Sequence, residues 1–482
     1  MKNSFHLFTP TIIDNPPHGC TGAIMEKDEN LGQIRGWKRI LRFSLPSVIM
    51  MVFISTYTVV DGAFISNFIG TDALAATNIL MPLWAVMTGF GFMLSTGGSA
   101  YVSNLFGQGR YDEGRASFTS ILLVGSAIAL VMIVVGYVFM EPLVRLLGAD
   151  DVLEGYTEEY LRAFLPFALF FMLQFLANQF LVVAGRPVTA LILALGGGVA
   201  NITFDYLLIV VFDMGVTGAA IASGMSSLIP SVVAMLFFCS KSGTVHFARP
   251  CRRSAVITKT CSNGISEMVS ELSGGITTLC YNLVMMEYIG ADGVSAIAIL
   301  AYVQFLALSI IIGFSNGIAP VMSFDHGADD REAMRNVFAR SVAFVSIVSF
   351  AVFLLVEFFI EGIAGLFASA SDSVMDITVD GAVVFAFGFI FMGVNMYVSS
   401  LFTSLSNGLV SAAISALRTL ILLAPLIILL PMAFGIDAVW YAIPITELVT
   451  FIIAWIILFR LNGRYGYMPE RRGSVHAPPN AD

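Results

Sequence analysis

Residues 45–80 read LPSVIMMVFISTYTVVDGAFISNFIGTDALAATNIL. This stretch is an apolar span with a proline near one end and a single carboxylate, Asp61, deep inside it. An ionised aspartate is costly to place in hydrocarbon, so an intramembrane carboxylate indicates a functional site. The stretch therefore predicts a membrane-spanning helix and the position of its chemistry.

Part of this stretch recurs later in the chain. FIGTDALAATNIL at 68–80 aligns with YIGADGVSAIAIL at 288–300, and 89–118 aligns without gaps with 309–338 at the same offset of 220. At that offset Asp61 falls on Tyr281, so the acid is not duplicated. The sequence predicts two copies of one unit that carry out different tasks.

The composition is that of a membrane protein. Of 482 residues, 57% are apolar and only 12% are charged, whereas about a quarter are charged in soluble proteins. Runs of about 20 apolar residues between polar breaks indicate transmembrane helices. We predict twelve spans, at 43–65, 76–103, 118–140, 160–183, 188–211, 217–239, 264–289, 295–322, 341–363, 380–404, 410–432 and 437–460.

Lysine and arginine are concentrated in alternate connections: before the first span, after the second, fourth, sixth and eighth spans, and after the last. By the positive-inside rule both termini are cytoplasmic. Because each copy has six spans, the two copies share one orientation and are related by an axis along the membrane normal. The predicted fold is an all-α membrane protein with two six-helix lobes around a central cavity.

Domain boundaries follow from the spans. We predict a cytoplasmic tail at 1–36, an N-lobe at 37–240, a cytoplasmic loop at 241–263, a C-lobe at 264–463 and a cytoplasmic tail at 464–482. Met25, which opens MEKDENLGQ, is an alternative translation start to Met1.

Several classes of function lack their sequence signals. The chain has no HExxH, GxSxG or P-loop pattern, its five histidines lie in tails or loops, and its five cysteines form no CxxC pair. The net charge of −9 is spread over loops and tails, so no nucleic-acid patch is expected. We predict a non-enzymatic protein without a cofactor, except for Na⁺ as a candidate coupling ion, that is energised by an ion gradient.

Four polar side chains are predicted to share one depth in the N-lobe. Asp61 lies about 25 Å along its span, Asp205 reaches a similar depth, and Asn201 shares the face of Asp205 at i−4. Ser223 reaches the same layer on the sixth span. Their oxygens suit a hard cation, and burial favours reversible protonation, so they could bind H⁺ or Na⁺. The alternatives are an interhelical hydrogen bond for Asp61, a helix-end role for Asp205, and packing for Ser223.

The second half carries a different set of charges. Glu267 and Glu271 lie at i,i+4 on one face of the seventh span, either inside the membrane or at a solvated helix end. Arg418 and Glu447 either pair structurally or face the cavity, and the sequence does not decide between these. The 40 phenylalanines and 23 methionines serve packing or line a cavity that accepts flat apolar cations.

The chain resembles the multidrug and toxic compound extrusion (MATE) transporters from about residue 37 to 465. The resemblance rests on the order and spacing of several motifs. They are Pro46 with VVDGAFISNFIG, GFMLSTGGSAYVSNLFGQGRYDEGR at 91–115, ANQFLVVAGRP at 177–187, NITFDYLLI at 201–209 and GVTGAAIAS at 215–223.

The resemblance implies a V-shaped cavity between the lobes and export of cationic lipophilic compounds in exchange for H⁺ or Na⁺. It also implies roles for residues of this chain. Pro46 and Tyr57 resemble positions linked to bending of the first helix, and Glu271, with Glu267 less closely, resembles the C-lobe acid. The N-lobe polar cluster of the family is matched by Asp61, Asn178, Asn201, Asp205 and Ser223. By depth, Asn178 falls nearer the cytoplasmic side than the other four.

The sequence therefore predicts a secondary active multidrug efflux antiporter that contributes to antibiotic resistance. We expect a multi-pass monomer in the plasma (inner) membrane of a bacterium or archaeon. Its expected partners are organic cation drugs or dyes, H⁺ or Na⁺ bound at Asp61 and Asp205, and membrane lipids. The alternatives are a flippase for lipid-linked saccharides, which would need basic residues in the cavity, and a membrane enzyme or receptor.

Overall fold

The computed structural model describes residues 30–149, 153–241, 243–251, 254–367 and 372–469. Within these ranges the chain is almost wholly helical and contains no β-strand. Met25 and most of the two predicted tails lie outside the described residues.

In the described part of the chain, twelve long helices match the twelve predicted spans in order and position. They are α1 Trp37–Phe64, α2 Met81–Gly107, α3 Tyr111–Val138, α4 Leu153–Val183, α5 Pro187–Val211, α6 Gly215–Cys239, α7 Ser254–Tyr288, α8 Ala291–Gly327, α9 Arg331–Phe367, α10 Phe387–Ser404, α11 Gly408–Phe434 and α12 Ile436–Tyr465. The predicted all-α membrane fold is confirmed.

Hydrophobicity distinguishes two of these helices from the rest. Among the described residues, ten helices are long and apolar enough to cross a membrane, and α2 with the short helix before it, bent by 44°, makes an eleventh. The 35-residue helix α7 is long enough, but its sequence TKTCSNGISEMVSELSGG is unusually polar for a membrane span. A polar helix is tolerated in a membrane where it is packed against other helices.

The duplication is visible in the backbone. Gly70 and Gly290 are separated by the repeat offset, and each stands directly before a helix with a φ of +131° and +93°, respectively. This conformation is strained for residues with a side chain. The same turn therefore opens the short helix Thr71–Ile79, which leads into α2, in one copy and α8 in the other.

The two copies meet in a reciprocal contact. A Cβ on Gly107 of α2 would lie 2.1 Å from the carbonyl oxygen of Phe324, and a Cβ on Gly327 of α8 would lie 2.1 Å from that of Asn104. These are equivalent residues at the repeat offset. Each copy thus supplies the glycine of one contact and the carbonyl oxygen of the other, which indicates twofold symmetry. Because each copy has six spans, the twofold axis runs along the membrane normal.

The structure differs in detail from the predicted boundaries. Helix α7 begins at Ser254, so it takes up the second part of the predicted loop 241–263. A 3₁₀ turn at Leu165–Phe167, which contains a proline, interrupts α4, and the tenth span is divided into Asp372–Phe385 and α10. Hydrophobic runs locate spans but do not reveal helix that extends beyond the membrane or breaks within it.

Within the described ranges there are three stretches of π-helix, in which the turn is wider than in an α-helix. The stretches are Ile65–Ile69 after α1, Tyr206–Val211 in α5 and Leu417–Leu423 in α11. The first two follow Asp61 and Asp205, and the third contains Arg418. Such wide turns frequently mark functional sites.

Candidate functional site: two polar clusters inside the lobes

Two glycines bring α1, α5 and α6 together. A Cβ on Gly198 of α5 would lie 2.3 Å from Phe53 Cε1 of α1, and a Cβ on Gly197 would lie 2.6 Å from the carbonyl oxygen of Ser226 on α6. A side chain at either position would separate the helices. The GGG sequence at 196–198 therefore lets α5 pack closely on both neighbours.

This packing places the two aspartates of the N-lobe side by side. The Asp61 side chain is within hydrogen-bonding reach of the side chains of Asp205 and Asn201. Asp205 is 0% exposed and Asn201 is 2% exposed. Two carboxylates can only accept hydrogen bonds, so a bond between them requires a proton on one of the two.

Several oxygen atoms of this cluster are buried without a donor. Among the described residues none donates to Asp61 Oδ1, to either carboxylate oxygen of Asp205 or to Asn201 Oδ1. Buried acceptors normally have a partner, and converging carboxylate and amide oxygens suit a proton or a hard cation such as Na⁺. The described residues contain no group of three or more His, Cys, Asp or Glu side chains that could hold a metal.

Tyr160 joins this cluster from α4. Its hydroxyl donates to Ser223 Oγ at 3.5 Å, and its ring is 4% exposed. The carboxyl groups of Asp61 and Asp205 both lie close enough to influence this hydroxyl. The sequence does not single out Tyr160, because this residue lies at the edge of the predicted span, beside TEE at 157–159, where a tyrosine is ordinary.

The remaining N-lobe candidates occupy different surroundings. Tyr57 lies one turn before Asp61, and its ring is 5.8 Å from that of Phe53. Pro46 is buried inside α1, and the helix continues through it. Both lie on the same helix as Asp61, on its N-terminal side.

The structure does not bring Asn178 to the acids. Asn178 is 18 residues from Tyr160 on α4, which corresponds to about 27 Å along a helix. Its neighbour Gln179 instead donates to the carbonyl oxygen of Asn316 on α8, at 3.1 Å. In the described part of the chain the polar cluster thus consists of Asp61, Asn201, Asp205, Ser223 and Tyr160.

The C-lobe candidates form a second cluster. Thr88 of α2 donates to Glu271 Oε2 at 3.3 Å, so this acid lies where α7 meets the other lobe. Glu267 lies one turn before Glu271 on α7, and the charge of Glu271 acts on it. Arg418 Nε donates to Glu447 Oε1 at 2.6 Å, so these two residues, whose relation the sequence left open, are an ion pair.

A duplicated set of twelve helices, with polar clusters buried inside both lobes, defines a two-lobed membrane transporter. The family model MatE matches residues 46–207 and 269–429, one match in each copy. The chain belongs to the MatE family. The resemblance predicted from the motifs is confirmed.

Relatives and solved structures extend the comparison. The multidrug export protein MepA of Staphylococcus saprophyticus is 25% identical over 443 residues, which are 89% of this chain and 94% of the relative. MepA of Staphylococcus aureus strain MSSA476 has the same identity and coverage.

Among solved structures, the MATE multidrug transporter DinF-BH is 25% identical. It has a TM-score of 0.84 and covers 92% of this chain and 99% of its own. An outward-facing multidrug resistance MATE transporter of the MOP superfamily is 21% identical and has a TM-score of 0.85, with coverages of 91% and 99%.

Proposed function

We propose that this protein is a secondary active multidrug antiporter that exports cationic lipophilic compounds in exchange for H⁺ or Na⁺. One observation carries the proposal: Asp61 and Asp205, from two different helices, face each other in a buried site. Three of their four carboxylate oxygens accept no hydrogen bond from the described residues. Membership of the MatE family and similarity to curated multidrug export proteins support the drug-efflux part.

The geometry accounts for coupling. With a proton or Na⁺ between them, Asp61 and Asp205 can remain in contact, whereas two bare carboxylates repel each other in a low-dielectric interior. Loading and unloading of the ion therefore favour different spacings of α1 and α5. If the spacing that binds the ion disfavours cargo, each ligand lowers the affinity for the other by the same factor.

In this scheme the remaining partners have limited roles. The coupling ion is the only inorganic ligand, no cofactor takes part, and no bond of the cargo is made or broken. We expect the protein to act as a monomer surrounded by lipid in the plasma membrane, with both termini cytoplasmic. The flippase alternative would need a free basic residue for pyrophosphate, but Arg418 is engaged by Glu447.

The test is dye accumulation in inverted vesicles under an imposed proton gradient or an imposed Na⁺ gradient. We expect one of the two gradients to drive ethidium uptake in the wild type, and Asp61→Asn or Asp205→Asn to reduce it at least tenfold. Asp72→Asn, at an exposed acid in the same lobe, is the control and should transport normally. Gradient-driven uptake that survives both substitutions would overturn the mechanism.

A further inference from the structure

A buried ion pair lies inside the C-lobe, close to the acids of α7. The side chains of Arg418 and Glu447 are 15% and 4% exposed, respectively. Asn395 Nδ2 of α10 donates to the other carboxylate oxygen, Glu447 Oε2, at 2.7 Å and to the Glu447 carbonyl oxygen at 2.9 Å. Glu447 is thus held at both carboxylate oxygens, and it fixes the position of Arg418.

Stability alone does not explain this pair. The cost of removing two charges from water roughly cancels their attraction, and well-packed apolar side chains often stabilise such a position equally well. Arg418 also lies in the wide-turn stretch Leu417–Leu423, between regular helix on both sides. A fixed positive charge at this position therefore calls for a role of its own.

The charge of Arg418 reaches the acidic pair of α7. The wide-turn stretch that carries Arg418 packs against α7, and the charges of Arg418 and Glu271 both act on Glu267 there. Glu271 in turn contacts Thr88 of the N-lobe. These interactions form a continuous series that runs from deep in the C-lobe to the contact between the lobes, in the order Asn395, Glu447, Arg418, Glu267, Glu271 and Thr88.

We infer that Arg418 is a fixed counter-charge that sets the affinity of the Glu267–Glu271 pair for organic cations and its selectivity for their charge. The inference rests on the proposed function, because it takes the cargo to be cationic. Two adjacent carboxylates attract any cation strongly in a low-dielectric site. Arg418 weakens that attraction, so that a bound monocation can leave, and it disfavours a dication more.

This role has a signature that a structural role lacks. The repulsion between Arg418 and a ligand is proportional to the ligand charge. A change in this repulsion therefore alters the affinity for a dication by the square of the factor found for a monocation, and it leaves an uncharged ligand unaffected. A distorted site would change the affinity for all three ligands without that scaling.

The experiment measures equilibrium binding of three ligands that share one ring system to the purified full-length protein. They are ethidium as the monocation, propidium as the dication and phenanthridine as the uncharged control. We expect Arg418→Gln to tighten ethidium binding about tenfold, as for a unit charge about 10 Å away at an effective dielectric constant of about 20. Propidium binding should tighten about a hundredfold, and phenanthridine binding should not change.

Three further variants test whether the change in affinity follows the charge at this position. Glu447→Gln leaves Arg418 without its counter-ion, so it should weaken binding of both dyes, propidium more than ethidium. Arg418→Lys retains the charge and should bind like the wild type. Ser411→Ala, on the same helix, removes buried hydrogen bonds without changing charge, and it should not alter the ratio of the two affinities.

Equal changes for the two dyes, or changes in the same direction for Arg418→Gln and Glu447→Gln, would overturn the inference. If gel filtration shows that a single variant does not fold, Arg418→Met with Glu447→Gln supplies an uncharged pair and should shift both dyes in the direction of Arg418→Gln. Failure of the antiport proposal looks different, because wild-type vesicles would then show no gradient-driven uptake even if charge scaling in binding were present.

Discussion

At the scale of single residues, the spacing between α1 and α5 depends on Gly198. The missing side chain allows Phe53 of α1 to lie against the α5 backbone, two turns of helix before Asp61. On α5, Asp205 lies two turns after Gly198, and it meets Asp61. The close approach of α1 and α5 at Gly198 therefore sets the distance between Asp61 and Asp205 two turns further along the helices.

Gly198→Ala should push α1 away from α5, because its Cβ would overlap the Phe53 ring. We expect about 1–3 kcal/mol of destabilisation, typical of overpacking, and a loss of ion-coupled transport at least as large as that of Asp61→Asn. Thermal unfolding and vesicle uptake measure the two effects.

Neighbouring residues supply the controls for this substitution. Gly196→Ala adds the same methyl group where nothing lies within 4 Å, so it should be neutral or slightly stabilising. Combining Gly198→Ala with Phe53→Leu should restore part of the transport by making room. A Gly198→Ala protein that transports like Gly196→Ala would show that helix spacing does not control the site.

At the scale of elements, we expect the change in spacing between α1 and α5 to come from a bend in α1. Pro46 has no amide hydrogen, so the carbonyl oxygen of Arg42, four residues earlier, lacks its helical donor. A proline inside a helix is also the commonest cause of a kink. Helix α1 packs against α5 in its own lobe and against α8 in the other, as its contacts at Gly198 and Gly313 show. A bend in α1 would therefore change both surfaces together.

Pro46→Ala should restore the missing hydrogen bond and stiffen α1. We expect the melting temperature to stay equal or rise, since an interior proline costs a helix about 3 kcal/mol, while the rate of dye efflux falls several-fold. This opposite response separates a role in motion from a role in folding. Pro431→Ala, inside α11, is the matched control and should leave efflux unchanged. Full efflux by Pro46→Ala would count against a bend in α1.

At the scale of the whole molecule, the lobes are held by helix contacts that repeat under the internal symmetry. Gly97 of α2 lies against Thr260 and Gly264 of α7, and its counterpart Gly317 of α8 lies against Ser44 of α1, the counterpart of Gly264. Two equivalent surfaces thus flank the axis. A rocking motion of one lobe against the other would change both contact surfaces in the same way, as expected for a transporter that alternates between two states.

Orientation can be tested by labelling single cysteines in a protein whose five native cysteines are replaced by serine. A cysteine in place of Asp292, in the first turn of α8, should react with a membrane-impermeant maleimide on intact cells. A cysteine at Lys241, after α6, should react only after permeabilisation. Asp292 lies at the start of α8 and Lys241 follows the end of α6, so each position reports one side of the membrane. The reverse pattern would place both termini outside.

The sequence by itself determined the class of protein, the order of the spans and the duplication. These follow from local quantities: runs of apolar residues long enough to cross a bilayer, and an alignment at one offset. It also singled out Asp61, Asp205 and Asn201, because an acid in an apolar run is conspicuous wherever its partner lies.

Only the tertiary structure decided which of these residues meet. It joined Tyr160 to Ser223, left Asn178 about 27 Å along α4 from Tyr160, and paired Arg418 with Glu447. Contacts between helices depend on how closely the backbones approach and on how each helix is rotated. Those are set by glycines such as Gly198 together with the residues that face them from distant parts of the chain, so no single stretch of sequence encodes them.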